Sequence, residues 1–296
     1  GGERHRAAGR QRDCGPSARS AAGGGRPPGG DRQHADGRQR DGGAAGRGAS
    51  GGRLTPHFLN AGNAGPFTLD GTRTFLVGRS KIAVIDPGPD VETHIRAVAA
   101  AVQDADSVTI LLTHRHEDHV GAASELAERT GAKIFGPEGV QRVDTIMEAG
   151  DIVSTDQGDL MAIHTPGHTP EHLSFIWSDR KAIFVGDLLL GAGDTTWVAE
   201  YPGCVADYLR SLDRVRVLAP AVLYPAHGAP LENPKEAIER FASHRRRRIE
   251  QVRQAMSNHP EVGIEGWVDA VYGVGLPDAL RGAALRSVSA LSLIHI

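Results

Sequence analysis

The sequence predicts an α+β fold: a mixed sheet assembly covered by helices, followed by a small helical domain. Two observations carry this. Short β-branched runs are joined in some places by tight turns and in others by helical patterns, so hairpins and strand–helix units coexist and a purely parallel sheet is excluded. Beyond residue 233 the apolar positions recur at helical spacing only. The chain divides accordingly into a Gly/Arg-rich extension (1–53), an α+β domain (54–232) and a C-terminal helical domain (233–296).

The extension contains no Val, Ile, Phe, Met, Trp or Tyr, and no Leu precedes Leu54, so it has nothing with which to bury a core and is expected to be disordered. An RGG-like nucleic-acid tail is disfavoured by the absence of interleaved aromatics, and with no initiating Met the segment reads as a flexible extension or as an upstream region translated with the gene. Order is expected from Leu54. Phe67-Thr68-Leu69 and residues 74–77 form a predicted hairpin turning at Asp70-Gly71. Residues 81–85 make the next strand, stopped by Asp86-Pro87-Gly88-Pro89, and Ile95, Val98, Ala99 and Val102 mark the helix that follows. A strand at 108–112 leads into a helical pattern from Val120-Gly121.

Further strands are expected at 134–135 and 160–163, and 173–177 pairs with 182–185 across Ser178-Asp179-Arg180. Val205, Tyr208, Leu209, Leu212 and Val215 define a helix, and residues 221–224 a last strand before Pro225. Asn233-Pro234 opens a long helix reaching about Met256, with two short helices after it at 267–272 and 279–288. The apolar, uncapped residues 291–296 read as a truncated or altered end.

A chain that is 40% hydrophobic can bury a core. Its two cysteines, Cys14 and Cys204, exclude a disulfide framework or a cysteine zinc site and fit a reducing compartment. No apolar segment reaches transmembrane length and the start lacks a signal-peptide core, so a cytoplasmic protein without a membrane partner is expected. Residues 1–50 hold ten Arg against five acidic residues, which divides the formal charge of −3 into +5 there and −8 in the rest. A folded part that acidic is not a general polyanion binder.

The chemistry is concentrated in Thr113-His114-Arg115-His116-Glu117-Asp118-His119, at the mouth of a strand-to-helix turn. Neutral imidazoles and ionised carboxylates are the ligands zinc prefers, and alternate positions on an extended segment point two histidines the same way. Three more candidates sit where strands end: His168 in Gly167-His168-Thr169-Pro170, Asp187 after Gly186, and His227 before Gly228. The small neighbours let the backbone approach an ion. Two divalent ions about 3.5–4 Å apart can share a water, lower its pKa and stabilise an oxyanion, so no Ser or Cys nucleophile is required.

The series His114-x-His116-x-Asp118-His119, Gly167-His168, Asp187 and His227-Gly228 resembles the signature of the metallo-β-lactamase superfamily, over about residues 54–230. The resemblance implies a four-layered αβ/βα sandwich with the metals at one edge of its two sheets. By position, it implies that His114, His116 and His168 hold one metal and that Asp118, His119 and His227 hold the second, with Asp187 bridging. It implies a zinc cofactor, two ions per chain, with iron or manganese as alternative occupants. Asp118 would be the catalytic residue, binding metal and orienting the attacking hydroxide. The resemblance also assigns Asp86 a hydrogen bond to a metal ligand and places His172 near the metals, behind a ligand or against substrate. His164 is expected in the core or behind the ligand turn, and His57, His94, His244 and His259 at the surface.

The C-terminal region, with Phe241, His244-Arg245 and Ala270-Val271-Tyr272, is similar to the winged-helix appendage of the subgroup containing β-lactamase-like endoribonucleases and acyl-carrier-protein thioesterases. Gly71-Thr72 fits that subgroup, whereas Arg73 and Phe75 depart from it. The implied function is a dinuclear metal-dependent hydrolase of an ester, a thioester or a single-stranded RNA phosphodiester. Two other classes compete. One is an iron-dependent oxidoreductase resembling persulfide dioxygenases. The other is a nucleic-acid-binding protein with a vestigial metal site, motivated by the run Arg245-Arg246-Arg247-Arg248. A solvated helix face balanced by Glu236, Glu239 and Glu250 is the plainer reading of that run.

Overall fold

Side-chain alternation along the strands decides the architecture. In the computed structural model, which describes residues 55–295, β1 (His57–Asn60), β2 (Arg73–Val77), β3 (Lys81–Ile85), β4 (Ser107–Leu111), β5 (Lys133–Gly136) and β6 (Thr145–Ile146) form one sheet in that order. Its first three strands pair antiparallel and the rest parallel. Phe75, Val77, Ala83, Ile85 and Leu111 point to one face, and Leu76, Ile82, Val84 and Ile110 to the other. Both faces are apolar, so both must be covered.

The outer face lies under α1 (Glu92–Val102) and α3 (Ala123–Thr130), which contribute Val98, Val102, Ala123 and Leu126. The inner face packs on a second sheet of β7 (Ile152–Thr155), β8 (Gly158–His164), β9 (Leu173–Trp177), β10 (Ala182–Gly186) and β11 (Val222–Pro225). That sheet runs β11-β10-β9-β8-β7, antiparallel except for the parallel β10–β11 pair. Phe175, Trp177, Phe184 and Tyr224 fill the space between the sheets, and Phe75 contacts the Phe184 and Tyr224 rings at 5.2 and 5.8 Å. Ile183, Val185 and Leu223 face outward onto α4 (Cys204–Val217) and α5 (Pro234–Asn258). The result is the four-layered αβ/βα sandwich that the motifs imply.

The chain ends in α6 (Gly263–Tyr272) and α7 (Asp278–Ser292). Both share a core with α4, α5 and β10 through Val252, Val268, Ala284, Val288 and Leu291, so the C-terminal helices are fused to the outer layer of the sandwich. The expected C-terminal part is helical, and among the described residues from 233 onward no strand forms a wing. The expectation for residues 1–53 lies outside the described residues. Among those described, no helix is long and apolar enough to cross a membrane.

Three local expectations are corrected. Residues 67–69 are not a strand: Gly65 N bonds Leu69 O, Gly71 N bonds Thr68 O, and Leu69 takes φ 55°, so the segment closes into a loop with Phe67 exposed. The partner of β2 is instead β1. His94 is buried rather than at the surface, because its Nε2 meets Thr74 Oγ1 at 2.8 Å. His164, expected inside, is exposed and bonds the Pro170 carbonyl from the last position of β8.

Phe241 joins α5 to the sandwich and is 1% exposed. Phe241→Ala is expected to cost about 3–5 kcal/mol, read as a lowered urea midpoint of a single transition. A separate, earlier transition would mean that the C-terminal helices fold on their own.

Candidate metal centre

Four chain segments bring candidate metal ligands to one end of the two sheets. The loop after β4 carries His114 and His116 and runs into α2 (Glu117–Val120), which carries Asp118 and His119. His168 follows β8, Asp187 follows β10 and His227 follows β11. Backbone bonds hold these loops in register: Leu173 N to Thr113 O at 2.8 Å, and Ala226 N to Gly186 O at 3.1 Å. Gly186 has φ 48°, and a Cβ there would lie 2.7 Å from His172 Nε2, so only glycine allows the β10 loop to pass. Gly167 is similarly constrained, because a Cβ would sit 2.5 Å from Tyr208 Cα.

Each imidazole is oriented by a bond on its outward nitrogen. Thr113 Oγ1 donates to Asp86 Oδ2 and therefore accepts from His114 Nδ1, 2.9 Å away. His116 Nε2 donates to Glu200 Oε1 at 2.6 Å. His168 Nδ1 donates to the Trp197 carbonyl at 2.8 Å, His119 Nδ1 to Asp86 Oδ2 at 2.9 Å, and His227 Nδ1 to the Gly71 carbonyl at 3.4 Å. Asp86 also accepts from Thr113 N at 2.8 Å. Its backbone sits at φ 49°, a conformation that Asp tolerates better than most residues and that this network holds in place.

With the outward protons committed, the inward nitrogens present lone pairs to one another. His116 Nδ1 lies 3.1 Å from His114 Nε2 and 2.9 Å from His168 Nε2, with no proton to share between them. His227 Nε2 and His119 Nε2 lie 3.2 and 3.6 Å from Asp118 Oδ2. Asp187 stands between the groups, its Oδ1 3.3 Å from His227 Nε2 and 3.5 Å from His119 Nε2, and its Oδ2 3.5 Å from His168 Nε2. His119 Nε2, His227 Nε2 and Asp187 Oδ1 are buried without a hydrogen-bond partner among the described residues. Facing lone pairs repel, and a shared cation relieves the repulsion. The spacings approach the roughly 3.4 Å expected of ligands about 2.0–2.1 Å from a tetrahedral ion. The donor set fits divalent metal: three overlapping groups could hold an ion, His114–His116–His168, His114–His119–Asp187 and Asp118–His119–His227.

The electrostatics agree. Burial, and then the neighbouring imidazoles, press the His114 pKa well below its ordinary value, which keeps the ring neutral. Burial does the same for His168, although Asp187 opposes it. Burial would raise the Asp187 carboxyl, but His227 and His119 pull it well below the usual carboxylate range. At His119 burial disfavours the charged ring, yet Asp187 and Asp86 together hold its pKa well above the ordinary value. A potential that draws a proton to this point draws a divalent cation more strongly.

His172 does not reach substrate space. It is buried, its Nδ1 meets Thr165 Oγ1 at 2.9 Å, and its Nε2 accepts the Asp187 backbone N–H at 3.2 Å. Phe75, marked as a departure near the site, is a core residue, and Arg73 pairs with Asp70 at 2.7 Å. The arginine run splits by helical face: Arg246 and Arg247 are exposed, whereas Arg245 is buried and Arg248 half-buried.

Glu200 and the Trp197 carbonyl were invisible in the sequence. Both belong to the strap between β10 and α4, and Glu200 stands 84 positions from the histidine it orients. Thr196 Oγ1 ties the strap to the Asp187 carbonyl at 3.0 Å, and Arg245 Nη2 bonds Thr196 O at 3.0 Å. Beneath the strap, a cavity of about 590 Å³ opens over His116, Asp118, His168 and Asp187 and extends to α5 and α7.

The profile of the Metallo-beta-lactamase superfamily matches residues 68–143 and 136–227. The Beta-lactamase-like protein 2 homolog of Caenorhabditis elegans is 32% identical over 239 residues, 76% of this chain and 79% of the relative. The Atrochrysone carboxyl ACP thioesterase of Aspergillus chevalieri is 31% identical over 250 residues, 79% of each chain. The match to the lactamase-like protein aptB of Emericella nidulans is 35% identical and spans 64% of this chain and 62% of that relative. A beta-lactamase domain protein from Burkholderia ambifaria superposes with a TM-score of 0.70 at 21% identity, over 80% of this chain and 84% of its own, and shares the fold. On its motifs, its two-sheet sandwich and these relatives, the chain belongs to the metallo-β-lactamase superfamily.

Proposed function

We propose that this chain is a dinuclear metal-dependent hydrolase acting on an acyl thioester. The observation that carries the reading is the convergence of two candidate ligand groups, with their orphaned buried atoms, on the floor of one cavity. Two relatives named as acyl-carrier-protein thioesterases, from Aspergillus chevalieri and Aspergillus fumigatus, favour a thioester over a phosphodiester. The largely apolar cavity wall suits an acyl chain better than a polynucleotide.

When bound, the ions would lower the pKa of a water and polarise the scissile carbonyl. The chain's own residues then set geometry and proton traffic. Asp118 is half-buried at the cavity floor and its carboxyl is held low: burial opposes this, but the neighbouring His227 and His119 prevail. It is therefore an ionised acceptor, able to orient a water. Asp187 contributes a second fixed negative charge, and the strap keeps bulk water off one side of the cavity. Zinc is the occupant that this histidine-rich donor set suits best.

Asp118→Asn is expected to lower kcat by about 10²–10⁴-fold with the urea midpoint little changed, measured against an acyl-N-acetylcysteamine thioester. His116→Ala is expected to lose nearly all turnover, and a His116→Ala protein at wild-type rate would sink the metal mechanism. Removal of metal by a chelator should abolish thioester cleavage and added zinc should restore it. Cleavage of single-stranded RNA instead, with no thioester turnover, would replace the substrate assignment.

Glu200 fixes the tautomer that leaves His116 Nδ1 free for metal and raises its basicity. Glu200→Gln is therefore expected to weaken zinc at the His114–His116–His168 group by about 10–100-fold, read by competition with a chromophoric chelator. Unchanged affinity at both sites would show that Glu200 serves only its ion pair with Arg115.

A further inference from the structure

The far wall of the cavity is built differently from its floor. Arg248 from α5 and Arg286 from α7 both line it, together with Leu276, Leu280 and Ala283. Neither guanidinium has a carboxylate partner among the described residues. Arg248 Nη1 bonds the Gln251 amide oxygen at 3.1 Å and reaches the Val271 carbonyl at 3.5 Å. Among the described residues, the buried Arg245 beside them bonds only Thr195 Oγ1 and Thr196 O, and its Nε has no partner. Asp194, an acid close to this helix face, is engaged by His244 and Arg247 instead.

Both cavity-wall guanidiniums also lie over aromatic rings, Arg248 with Cζ 4.7 Å from the Tyr272 centroid and Arg286 with Cζ 5.2 Å from the Trp197 centroid. Contact with a ring occupies the flat face of a guanidinium and leaves its in-plane N–H edge to donate. Uncompensated cations of this kind at the end of an apolar cavity are matched by planar or tetrahedral oxyanions. The cavity volume is that of a small-molecule site. The folded part of the chain is acidic overall, so these charges mark a local feature and not a polyanion track.

We infer that Arg248 and Arg286 form an anion-recognition end of the substrate cavity, selecting thioesters that carry a carboxylate or phosphate remote from the scissile bond. The inference rests on the thioesterase reading above and adds the substrate's second functional group. The anion has two possible sources: a carboxylate on the acyl chain, or the phosphate of a pantetheine-type thiol carrier. The intervening apolar residues take the chain between the two ends.

The test compares three thioesters on the zinc-loaded full chain: a neutral acyl-N-acetylcysteamine, a glutaryl-N-acetylcysteamine of similar length, and a neutral acyl 4′-phosphopantetheine. At least one anionic thioester is expected to exceed the neutral one in kcat/KM by about tenfold or more, through KM. The one that does names the source. Arg248→Gln with Arg286→Gln should bring that ratio to about one, whereas Arg246→Gln, on the solvent face, should leave it as it is. No preference in the wild type, or a preference that survives the double variant, overturns the inference.

Because turnover could fail for other reasons, the non-hydrolysable amide analogues of all three are titrated by calorimetry. Tighter binding of an anionic analogue, lost in the double variant, supports the anion end even if no thioester is cleaved. Equal binding of all three contradicts it. RNA cleavage that the double variant loses, with no difference among the analogues, would assign the guanidiniums to a polynucleotide backbone and also overturn it.

Discussion

The structure around the site depends on one constraint: four buried imidazoles and the half-buried His116 must each turn a lone pair toward a common point. Left to themselves those lone pairs repel, and each buried nitrogen without a partner costs about 1–3 kcal/mol in lost solvation. The fold supplies an outward acceptor for every ring, and so fixes which nitrogen is bare. Asp86, left-handed and accepting from Thr113 and His119, is the element that couples the two ligand groups. Positive charge at the centre would relieve that repulsion, which is why the geometry fits a metal centre better than a hydrogen-bonded core.

Much of this was legible in the sequence because the information is local. His114, His116, Asp118 and His119 lie within six positions, and His168, Asp187 and His227 each follow a recognisable strand. Hairpins mixed with strand–helix units marked a mixed sheet assembly, and the two-sheet sandwich came from the family resemblance; in the structure, apolar residues on β2, β3 and β10 occupy both alternation phases, as strands buried on both sides must. Resemblance to a known signature then ordered the ligands into groups.

What was not legible is tertiary. Glu200 and the Trp197 carbonyl lie on an irregular strap with neither period nor turn signature, and their partners are 84 and 29 residues away. Phe67-Thr68-Leu69 has strand-like residues, yet Pro66 and the turn bonds at Gly65 and Gly71 close it into a loop. The arginine run looked like a solvated face because composition does not say which turn of a helix faces inward. Arg245 and Arg248, three apart, share the inward side. The C-terminal helices looked like an appendage, but their apolar stripe completes both the outer core layer and one wall of the cavity.

These features connect by physical steps. Arg245 and Thr196 hold the strap, the strap orients His116 and His168, and those rings set one ligand group beneath the cavity. The most direct test of the account is the metal content of the full chain, measured by elemental mass spectrometry after equilibration with zinc and gel filtration. Close to two zinc ions per chain are expected, falling to about one in His116→Ala while the fold is retained. No bound metal in the wild type, or the same content in both proteins, would contradict it.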